Sequence, residues 1–255
     1  MKIALIQTFL IWENPIENRS HLAQKINGFT EAVDLIVLPE MFSTGFTMHP
    51  ERVAETMQGE TIVWLQHFAK AKNCAITGSL VIQENGTFYN RLVFVFPDGK
   101  IEHYDKRHLF TLAGETKAYT AGTSKLIVEY KGWKICPLIC YDLRFPVLAR
   151  NSENYDLLIY VANWPNVRAN AWNALLKARA IENMSYTVGV NRIGTDENKN
   201  TYFGDSQIVD CMGNYTIEPQ QSEGLFIIDL DKSTQDQNRK KFGFLNDRDD
   251  FELKF

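Results

Sequence analysis

One cysteine lies at a position typical of a nucleophile. Cys140 directly follows the apolar run 135–139, and the segment CYDLRFP at 140–146 predicts a turn into a helix. A sulfur on such a turn faces a crevice and has backbone N–H groups beside it, which stabilise a thiolate and bind an oxyanion. The other cysteines have apolar neighbours and are predicted to be packed in the core: Cys74, Cys136 and Cys211.

A cysteine nucleophile needs a base, because its thiol is mostly protonated at neutral pH. Glu40 follows another apolar run, 35–38, and a partly desolvated carboxylate has a raised pKa suited to proton transfer. A histidine is the alternative base, and either His103 or His108 remains open as a partner of Cys140. The other histidines are predicted to be solvated on helix faces or in a loop: His21, His49 and His67.

Lys106 is the candidate for stabilising negative charge. It lies in the segment YDKRHLF at 104–110, where it can balance a catalytic carboxylate and stabilise a tetrahedral oxyanion, with a solvated surface charge as the alternative. No two histidines are four residues apart and no C-x-x-C pair occurs, so no metal site is predicted. The residues alone indicate a cysteine nucleophile with carboxylate help, and they do not select a substrate.

Three buried strands are predicted to bring these side chains together. The apolar runs 35–38, 135–139 and 157–162 are typical of strands covered on both faces, and polar or reactive residues follow each of them. In open α/β sheets, ligands bind at the carboxyl ends of the strands. We therefore expect a site at these strand ends.

The remaining pattern predicts a layered α/β protein. Asn14 followed by a proline is typical of a helix start, and that helix is predicted to end near Gly28. Turn signals NG at 85–86 and PDG at 97–99 predict hairpins, so the sheets must be mixed. Strands and helices alternate throughout, which predicts one domain over residues 1–255. Further strands are predicted at 3–7, 75–79, 88–96, 186–190, 207–209 and 225–228, and helices at 146–151 and 172–183.

Composition excludes several classes of partner. The chain has 255 residues, 45% of them hydrophobic, which is enough for a sizeable core. Its net charge of −4 and the lack of a basic cluster predict no nucleic-acid partner. No apolar run is long enough to span a bilayer and the N-terminal segment does not resemble a signal peptide, so no membrane association is predicted. Only four cysteines in a chain of this size predict a reducing, cytoplasmic setting.

Three segments in order along the chain resemble the nitrilase superfamily of carbon–nitrogen hydrolases. LPEMF at 38–42 matches the block around the family's glutamate, and YDKRHLF at 104–110 matches the block around its lysine. ICYDLRFP at 139–146 matches the nucleophile block. The resemblance continues through ARAIEN at 178–183 and GDS at 204–206, so it covers the whole chain.

The resemblance implies a fold and a mechanism. The fold is a single-domain α-β-β-α four-layer sandwich, and the triad is Glu40, Lys106 and Cys140, with Glu115 where the family has a second glutamate. Glu40 would deprotonate Cys140, and a thioester would form while Lys106 and the backbone N–H of Tyr141 hold the oxyanion. No metal and no cofactor are implied, whereas a homodimer is.

Within the superfamily the chain is similar to bacterial omega-amidases, which act on 2-oxo-acid amides such as 2-oxoglutaramate and 2-oxosuccinamate. The segments EMFSTGF at 40–46, YVANWP at 160–165 and NRIG at 191–194 agree with that branch. The segment GFL at 243–245 departs from it, because a proline-containing segment is expected there. This departure lies far from the predicted chemistry.

A small anionic amide needs a cation in its site, and arginine can bind both oxygens of a carboxylate. Arg168 and Arg192 follow two strand ends and are the predicted carboxylate ligands, with structural ion pairs as the alternative. Phe46 and Trp164 are predicted to form walls of the pocket, with core packing as the alternative. Arg144 and Arg179 are assigned to structure.

Two other functions remain open at this stage. The first is a neighbouring carbon–nitrogen hydrolase acting on another amide, an N-carbamoyl amine or a nitrile. The second is a noncatalytic binding or scaffold protein that keeps the fold. The presence of Glu40, Lys106 and Cys140 together counts against the second.

Overall fold

Over residues 1–254, which the computed structural model describes, the chain forms two six-stranded sheets, a two-stranded ribbon and six α-helices. The strands are β1 (Lys2–Gln7), β2 (Leu35–Val37), β3 (Ala75–Glu84), β4 (Thr87–Val95), β5 (Ile101–Asp105), β6 (Val128–Tyr130), β7 (Trp133–Ile139), β8 (Leu157–Ala162), β9 (Tyr186–Asn191), β10 (Ile193–Thr195), β11 (Thr201–Phe203), β12 (Ser206–Val209), β13 (Tyr215–Gln220) and β14 (Gly224–Asp229). The helices are α1 (Pro15–Asn27), α2 (Glu60–Lys72), α3 (Glu115–Ala118), α4 (Pro146–Ala149), α5 (Ala169–Asn183) and α6 (Lys232–Phe242). Short 3-10 helices cover Pro50–Arg52, Thr111–Ala113, Cys140–Arg144, Asn166–Arg168 and Phe244–Asp247.

Each large sheet has a parallel centre and antiparallel edges. The first has the order β14-β1-β2-β3-β4-β5, in which β1, β2 and β3 are parallel. The second has the order β13-β12-β9-β8-β7-β6, in which β7, β8 and β9 are parallel. The carboxyl ends of the parallel strands therefore lie at one edge of each sheet, and both sheets are mixed as predicted.

The two sheets pack face to face. Leu5 of β1 belongs to the same buried cluster as Ile135 of β7, so these side chains fill the space between the sheets. The next residue along β1, Ile6, points the other way and packs with Leu22 of α1 and Leu65 of α2. This alternation follows from the two-residue period of a strand, and it explains why β1 is apolar on both faces.

Helix α5 covers the outer face of the second sheet. It packs against β9 and β12, and Gly189 of β9 permits the close approach. A Cβ atom at Gly189 would lie 2.4 Å from Cδ1 of Leu176 on α5. The layer order is thus helix, sheet, sheet, helix, and the predicted α-β-β-α sandwich is confirmed.

Local signals define the ends of α1 and the β3–β4 hairpin. The Asn14 side chain accepts a hydrogen bond from the Glu17 amide, and the helix ends at Gly28, as predicted. Asn85 and Gly86 have φ angles of 50° and 78°, which are the left-handed values that a tight hairpin turn requires.

Several predicted bounds need correction, and some elements were missed. The helix predicted over 146–151 ends at Ala149, and the strand predicted over 75–79 continues to Glu84 because its hairpin partner pairs along that length. Strands β5 and β13 and helix α6 have no strong apolar period and were not predicted. No helix within residues 1–254 is both long and apolar enough to cross a membrane.

Candidate active site

The strand ends singled out in the sequence meet in one place. Glu40 follows β2 of the first sheet, and Cys140 and Asn163 follow β7 and β8 of the second. The Asn163 amide donates a hydrogen bond of 2.8 Å to Oε2 of Glu40. The Cys140 thiol lies 3.9 Å from the Asn163 carbonyl oxygen, to which it donates. Glu40 and Cys140, which are 100 positions apart in the chain, are neighbours because the carboxyl edges of the two sheets face each other.

Lys106 lies between two carboxylates. It directly follows β5, and its Nζ is 2.9 Å from Oε1 of Glu40. The same Nζ is 3.0 and 2.9 Å from the two oxygens of Glu115, the first residue of α3. Oε2 of Glu115 also accepts a bond of 2.6 Å from the Phe110 amide. All three charged side chains are at most 1% exposed.

Asn90 connects the two carboxylates, and the sequence analysis missed it. Its Nδ2 donates to Oε1 of Glu40 at 2.9 Å and to Oε1 of Glu115 at 3.2 Å. Asn90 lies in the middle of β4, where its pairing partner across the hairpin is Val81. A polar residue inside a predicted strand that is mostly apolar was the available signal, because buried polar groups need a partner.

The backbone at Cys140 is unusual. Its φ angle is 43°, in the left-handed region that a residue with a side chain rarely adopts, and it is the first residue of the 3-10 helix Cys140–Arg144. The strand therefore turns sharply at the cysteine. Cys140 lines a cavity, whereas Cys136, four residues earlier in β7, is fully buried.

Electrostatics keep the Cys140 sulfur protonated in the resting site. Burial raises the pKa of the thiol well above its ordinary value, and the nearby Glu40 raises it further, while Lys106 lowers it. Burial alone would lower the pKa of Lys106, but Glu115 and Glu40 outweigh it and the net shift is upward. Burial also raises the pKa of Glu115, against the opposing effect of Lys106. A thiol in this setting needs a base at the moment of attack.

Above Cys140 is a cavity of about 420 Å³ that opens to solvent. Phe46 forms part of its wall, and the Lys106 ammonium lies 5.1 Å from the centre of that ring. Trp164 forms another part, so both predicted aromatic residues lie at the cavity. The remaining lining residues are Trp12, Met48, His49, Phe110, Leu112, Ala113, Tyr141, Arg144, Asn163, Pro165, Arg168, Asp196, Asn198, Asn200 and Tyr202.

Two arginines lie in the cavity wall. Arg168, one of the predicted carboxylate ligands, has its guanidinium 5.1 Å from the centre of the Phe110 ring. Arg144, which the sequence analysis assigned to structure, has its guanidinium 5.0 Å from the centre of the Trp164 ring. Among residues 1–254, no carboxylate lies within ion-pair distance of either arginine. The signal for Arg144 was its place four residues after the nucleophile, on the same turn.

Arg192 requires a correction, because it does not line the cavity. It is 1% exposed, and its guanidinium donates to the backbone carbonyls of Ile193 and Leu10. The guanidinium also lies 4.8 Å from the centre of the Tyr202 ring, which does line the cavity. Arg192 thus packs behind Tyr202, a residue of the cavity wall.

The histidine alternatives for the base are placed elsewhere. His108 directs Nδ1 to Oδ1 of Asp142 at 2.8 Å, and His103 lies exposed on β5. The carboxylate beside Cys140 is that of Glu40, whose charge raises the pKa of the thiol. Within the described residues 1–254, no group of histidine, cysteine and acidic side chains could hold a metal ion.

Comparison with known proteins agrees with this geometry. The family model for carbon-nitrogen hydrolases matches residues 2–240. The chain is 42% identical to the omega-amidase YafV of Escherichia coli over 255 residues, covering 99% of this chain and 98% of that protein. It is 30% identical to the 2-oxoglutaramate amidase of Bacillus subtilis, covering 96% of each chain.

A solved structure shows the same fold. XC1258 from Xanthomonas campestris, a CN-hydrolase superfamily protein with an arsenic adduct in its active site, matches with a TM-score of 0.97 and 39% identity. The match covers 99% of this chain and 98% of that one. The fold, the buried cluster of charges beside a cysteine and the full-length family match lead to one conclusion: this chain belongs to the carbon-nitrogen hydrolase family.

Proposed function

We propose that this chain is an omega-amidase that hydrolyses the terminal amide of short 2-oxo dicarboxylic acid monoamides, releasing ammonia. 2-Oxoglutaramate is the first proposed substrate, since relatives that match over nearly the full length are named omega-amidase and 2-oxoglutaramate amidase. 2-Oxosuccinamate, which is one methylene shorter, is proposed beside it. The observation behind the proposal is one cavity whose floor is formed by Cys140 and Lys106, with buried carboxylates beneath, and whose wall holds two arginines without carboxylate partners.

The reaction begins with proton transfer from Cys140 to Glu40. The thiolate then attacks the amide carbon, and the carbonyl oxygen becomes an oxyanion. The ammonium of Lys106 and the backbone N–H of Tyr141 stabilise that oxyanion; Tyr141 is the second residue of a helical turn, where amides have no partner within the helix. Lys106 suits this role because its neighbours keep it charged.

The tetrahedral intermediate collapses with cleavage of the C–N bond. The protonated Glu40 gives its proton to the departing nitrogen, so ammonia leaves and a thioester to Cys140 remains. Glu40 then removes a proton from water, which attacks the thioester carbon. The C–S bond breaks, the proton returns from Glu40 to the sulfur, and the dicarboxylate is released.

Glu115 acts on Lys106 and not on the substrate carbon. Its two oxygens both contact Nζ of Lys106, and it receives further hydrogen bonds from Asn90 and Phe110. These bonds hold the lysine in one place between two carboxylates. The proposal for Glu115 is therefore a positioning role.

Arg168 and Arg144 bind the substrate carboxylate in this proposal. Charge-assisted hydrogen bonds from guanidinium to carboxylate are the strong and directional ones. Phe46 and Trp164 confine the short carbon chain between the carboxylate and the amide. Arg192 keeps a supporting role, since it does not line the cavity and its Nε and Nη2 bond to backbone carbonyls.

A substrate panel with an ammonia readout tests the proposal. It contains 2-oxoglutaramate, 2-oxosuccinamate, a neutral aliphatic amide, an N-carbamoyl amine and a nitrile, each assayed with the wild type and Cys140→Ala. We expect the two 2-oxo-acid amides to have the highest kcat/KM and Cys140→Ala to be inactive. A higher kcat/KM for the carbamoyl compound or the nitrile would overturn the omega-amidase proposal.

We also propose a cytoplasmic location and a homodimer. The four cysteines at positions 74, 136, 140 and 211 are all free, which suits a reducing compartment. The homodimer proposal rests on the family resemblance alone. Light scattering on the purified chain tests it, and a mass near one chain at micromolar concentration would contradict it.

A further inference from the structure

Asp142 is a fully buried carboxylate that takes no part in the mechanism above. It accepts four hydrogen bonds, two at each oxygen. Oδ2 accepts from the Tyr104 hydroxyl at 2.8 Å and the Ile139 amide at 3.0 Å. Oδ1 accepts from the His108 amide at 3.0 Å and His108 Nδ1 at 2.8 Å. An ionised carboxylate is acceptor-only, so every donor around Asp142 matches it.

These donors come from the two segments that hold the reacting groups. Tyr104 and His108 lie two residues before and two residues after Lys106, and the Tyr104 hydroxyl also accepts from the Arg107 amide at 3.0 Å. Ile139 immediately precedes Cys140. The lysine segment belongs to the first sheet and the cysteine turn to the second. One carboxylate therefore ties together the two chain segments whose separation sets the Lys106–Cys140 geometry.

The surroundings of His108 make this connection stiff. Its ring stacks on Phe145 with the ring centres 3.7 Å apart and the planes 5° from parallel. Phe145 follows the same helical turn that begins at Cys140, and its amide bonds to the Asp142 carbonyl. The lysine segment is thus held on the cysteine turn by hydrogen bonds on one side and by stacking on the other.

We propose that Asp142 is a positioning residue that fixes Lys106 against Cys140 across the two sheets. This inference rests on the cysteine chemistry proposed above, and it adds a residue to which that proposal assigned no role. Misplacement of a reacting group by about 1 Å can lower a rate about 100-fold, so the loss of this connection affects turnover more than binding.

Asp156 provides a matched control. It too is a buried carboxylate bound to β7, where it accepts from the Lys134 amide at 3.0 Å. It also pairs with Lys232 and Arg239 at 2.7 and 2.9 Å. Because Lys134 is at the opposite end of β7 from Cys140, Asp156→Asn removes a comparable buried charge without contact to the site.

The test compares Asp142→Asn with Asp156→Asn in two assays. For Asp142→Asn we expect kcat with 2-oxoglutaramate to fall about 100-fold while KM changes less than about threefold. For Asp156→Asn we expect kcat to stay within about twofold even where the melting temperature falls. Equal kcat in Asp142→Asn and the wild type would overturn the proposal.

The second assay is alkylation of Cys140 by iodoacetamide as a function of pH, which needs no substrate. Lys106 lowers the pKa of the Cys140 thiol, so its displacement in Asp142→Asn should move the alkylation midpoint to higher pH. If Asp142→Asn acted only by removing the negative charge of Asp142, the alkylation midpoint of Cys140 would move to lower pH. That result would contradict a positioning role. The other charged or titratable groups that face Cys140 or line its cavity are unchanged in these variants: Glu40, His49, Lys106, Glu115, Tyr141, Arg144, Arg168, Asp196 and Tyr202.

Tyr104→Phe keeps the test decisive if Asp142→Asn does not fold. It removes one hydroxyl and keeps the ring, and we expect about a tenfold loss of kcat with the same upward shift of the alkylation midpoint. Unchanged kcat and midpoint in Tyr104→Phe would overturn the proposal. If 2-oxoglutaramate is not a substrate, the omega-amidase proposal fails while the alkylation results still decide the role of Asp142.

Discussion

The floor and the wall of the cavity follow opposite electrostatic rules. At the floor and directly beneath it, Lys106, Glu40 and Glu115 are at most 1% exposed, and each charge has a partner within 3.0 Å. In the wall, Arg144 and Arg168 lie against aromatic rings with no carboxylate within ion-pair distance in the described part of the chain. A buried charge needs a partner because an unpaired one is costly, whereas a cation in the solvated wall can remain unpaired and available to a ligand.

This difference separates chemistry from recognition. The paired charges at the floor fix a lysine and a carboxylate beside a thiol, and such preorganised groups act on any amide carbonyl that reaches them. In the proposed function, the guanidinium groups of Arg144 and Arg168 determine which amides are held there. The comparison predicts that substitutions at the floor lower kcat and substitutions in the wall raise KM.

The largest effect is expected for Cys140→Ala. It removes the nucleophile, so kcat should fall by more than about 10⁴-fold, to the limit of the ammonia assay. Cys136→Ala is the matched control because that cysteine is buried in β7, the strand that precedes Cys140, and it should keep wild-type kcat. Measurable turnover by Cys140→Ala at one hundredth of the wild-type rate would place the nucleophile elsewhere.

Lys106→Met should damage both activity and stability. Without the ammonium, Glu40 and Glu115 face each other in a buried site, so one of them must take up a proton. We expect kcat to fall about 1,000-fold and the free energy of unfolding, measured with urea, to fall by about 3–5 kcal/mol.

Lys125→Met is the control for that experiment. Lys125 also pairs with a carboxylate, that of Glu153 at 2.7 Å, but away from the cavity. Its loss should lower stability less and leave kcat unchanged. If the two variants have the same kcat, the floor is not the site of the chemistry.

Smaller effects are expected in the wall. Arg168→Ala and Arg144→Ala should each raise KM for 2-oxoglutaramate about 10- to 100-fold, the size of one lost charge-assisted hydrogen bond, with kcat within about threefold. Arg192→Met should instead lower the melting temperature and leave KM nearly unchanged, because that side chain bonds to the backbone. If KM rose in Arg192→Met but not in Arg168→Ala or Arg144→Ala, the roles assigned to these arginines would be reversed.

The sequence predicts the floor better than the wall. Glu40 and Cys140 follow continuous apolar runs, which are visible in one dimension, and parallel strands bring their carboxyl ends to one edge. Lys106 follows β5, a strand too polar to predict; the residues alone made it a candidate, and the family resemblance separated it from a surface lysine. Asn90 was missed because its two bonds join residues 50 and 25 positions away.

The arginines show why the wall is harder to predict. Arg144 and Arg192 each follow a strand end in the sequence, and nothing in their neighbours shows which one faces the cavity. The sharp turn at Cys140 directs Arg144 to the cavity, and Tyr202 lies between the cavity and Arg192. Both depend on contacts between segments that are distant in the sequence. The layered α/β class was predictable because strands and helices alternate along the chain, whereas the four-layer sandwich was implied by the family resemblance.

One pair of substrates tests the separation of floor and wall most directly. 4-Oxopentanamide has the chain and the terminal amide of 2-oxoglutaramate, with a methyl group in place of the carboxylate. For the wild type we predict a kcat/KM at least about 100-fold higher for 2-oxoglutaramate, and for Arg144→Ala/Arg168→Ala a ratio near one. Equal kcat/KM values for the two amides with the wild-type enzyme would contradict the proposed recognition of an anionic substrate.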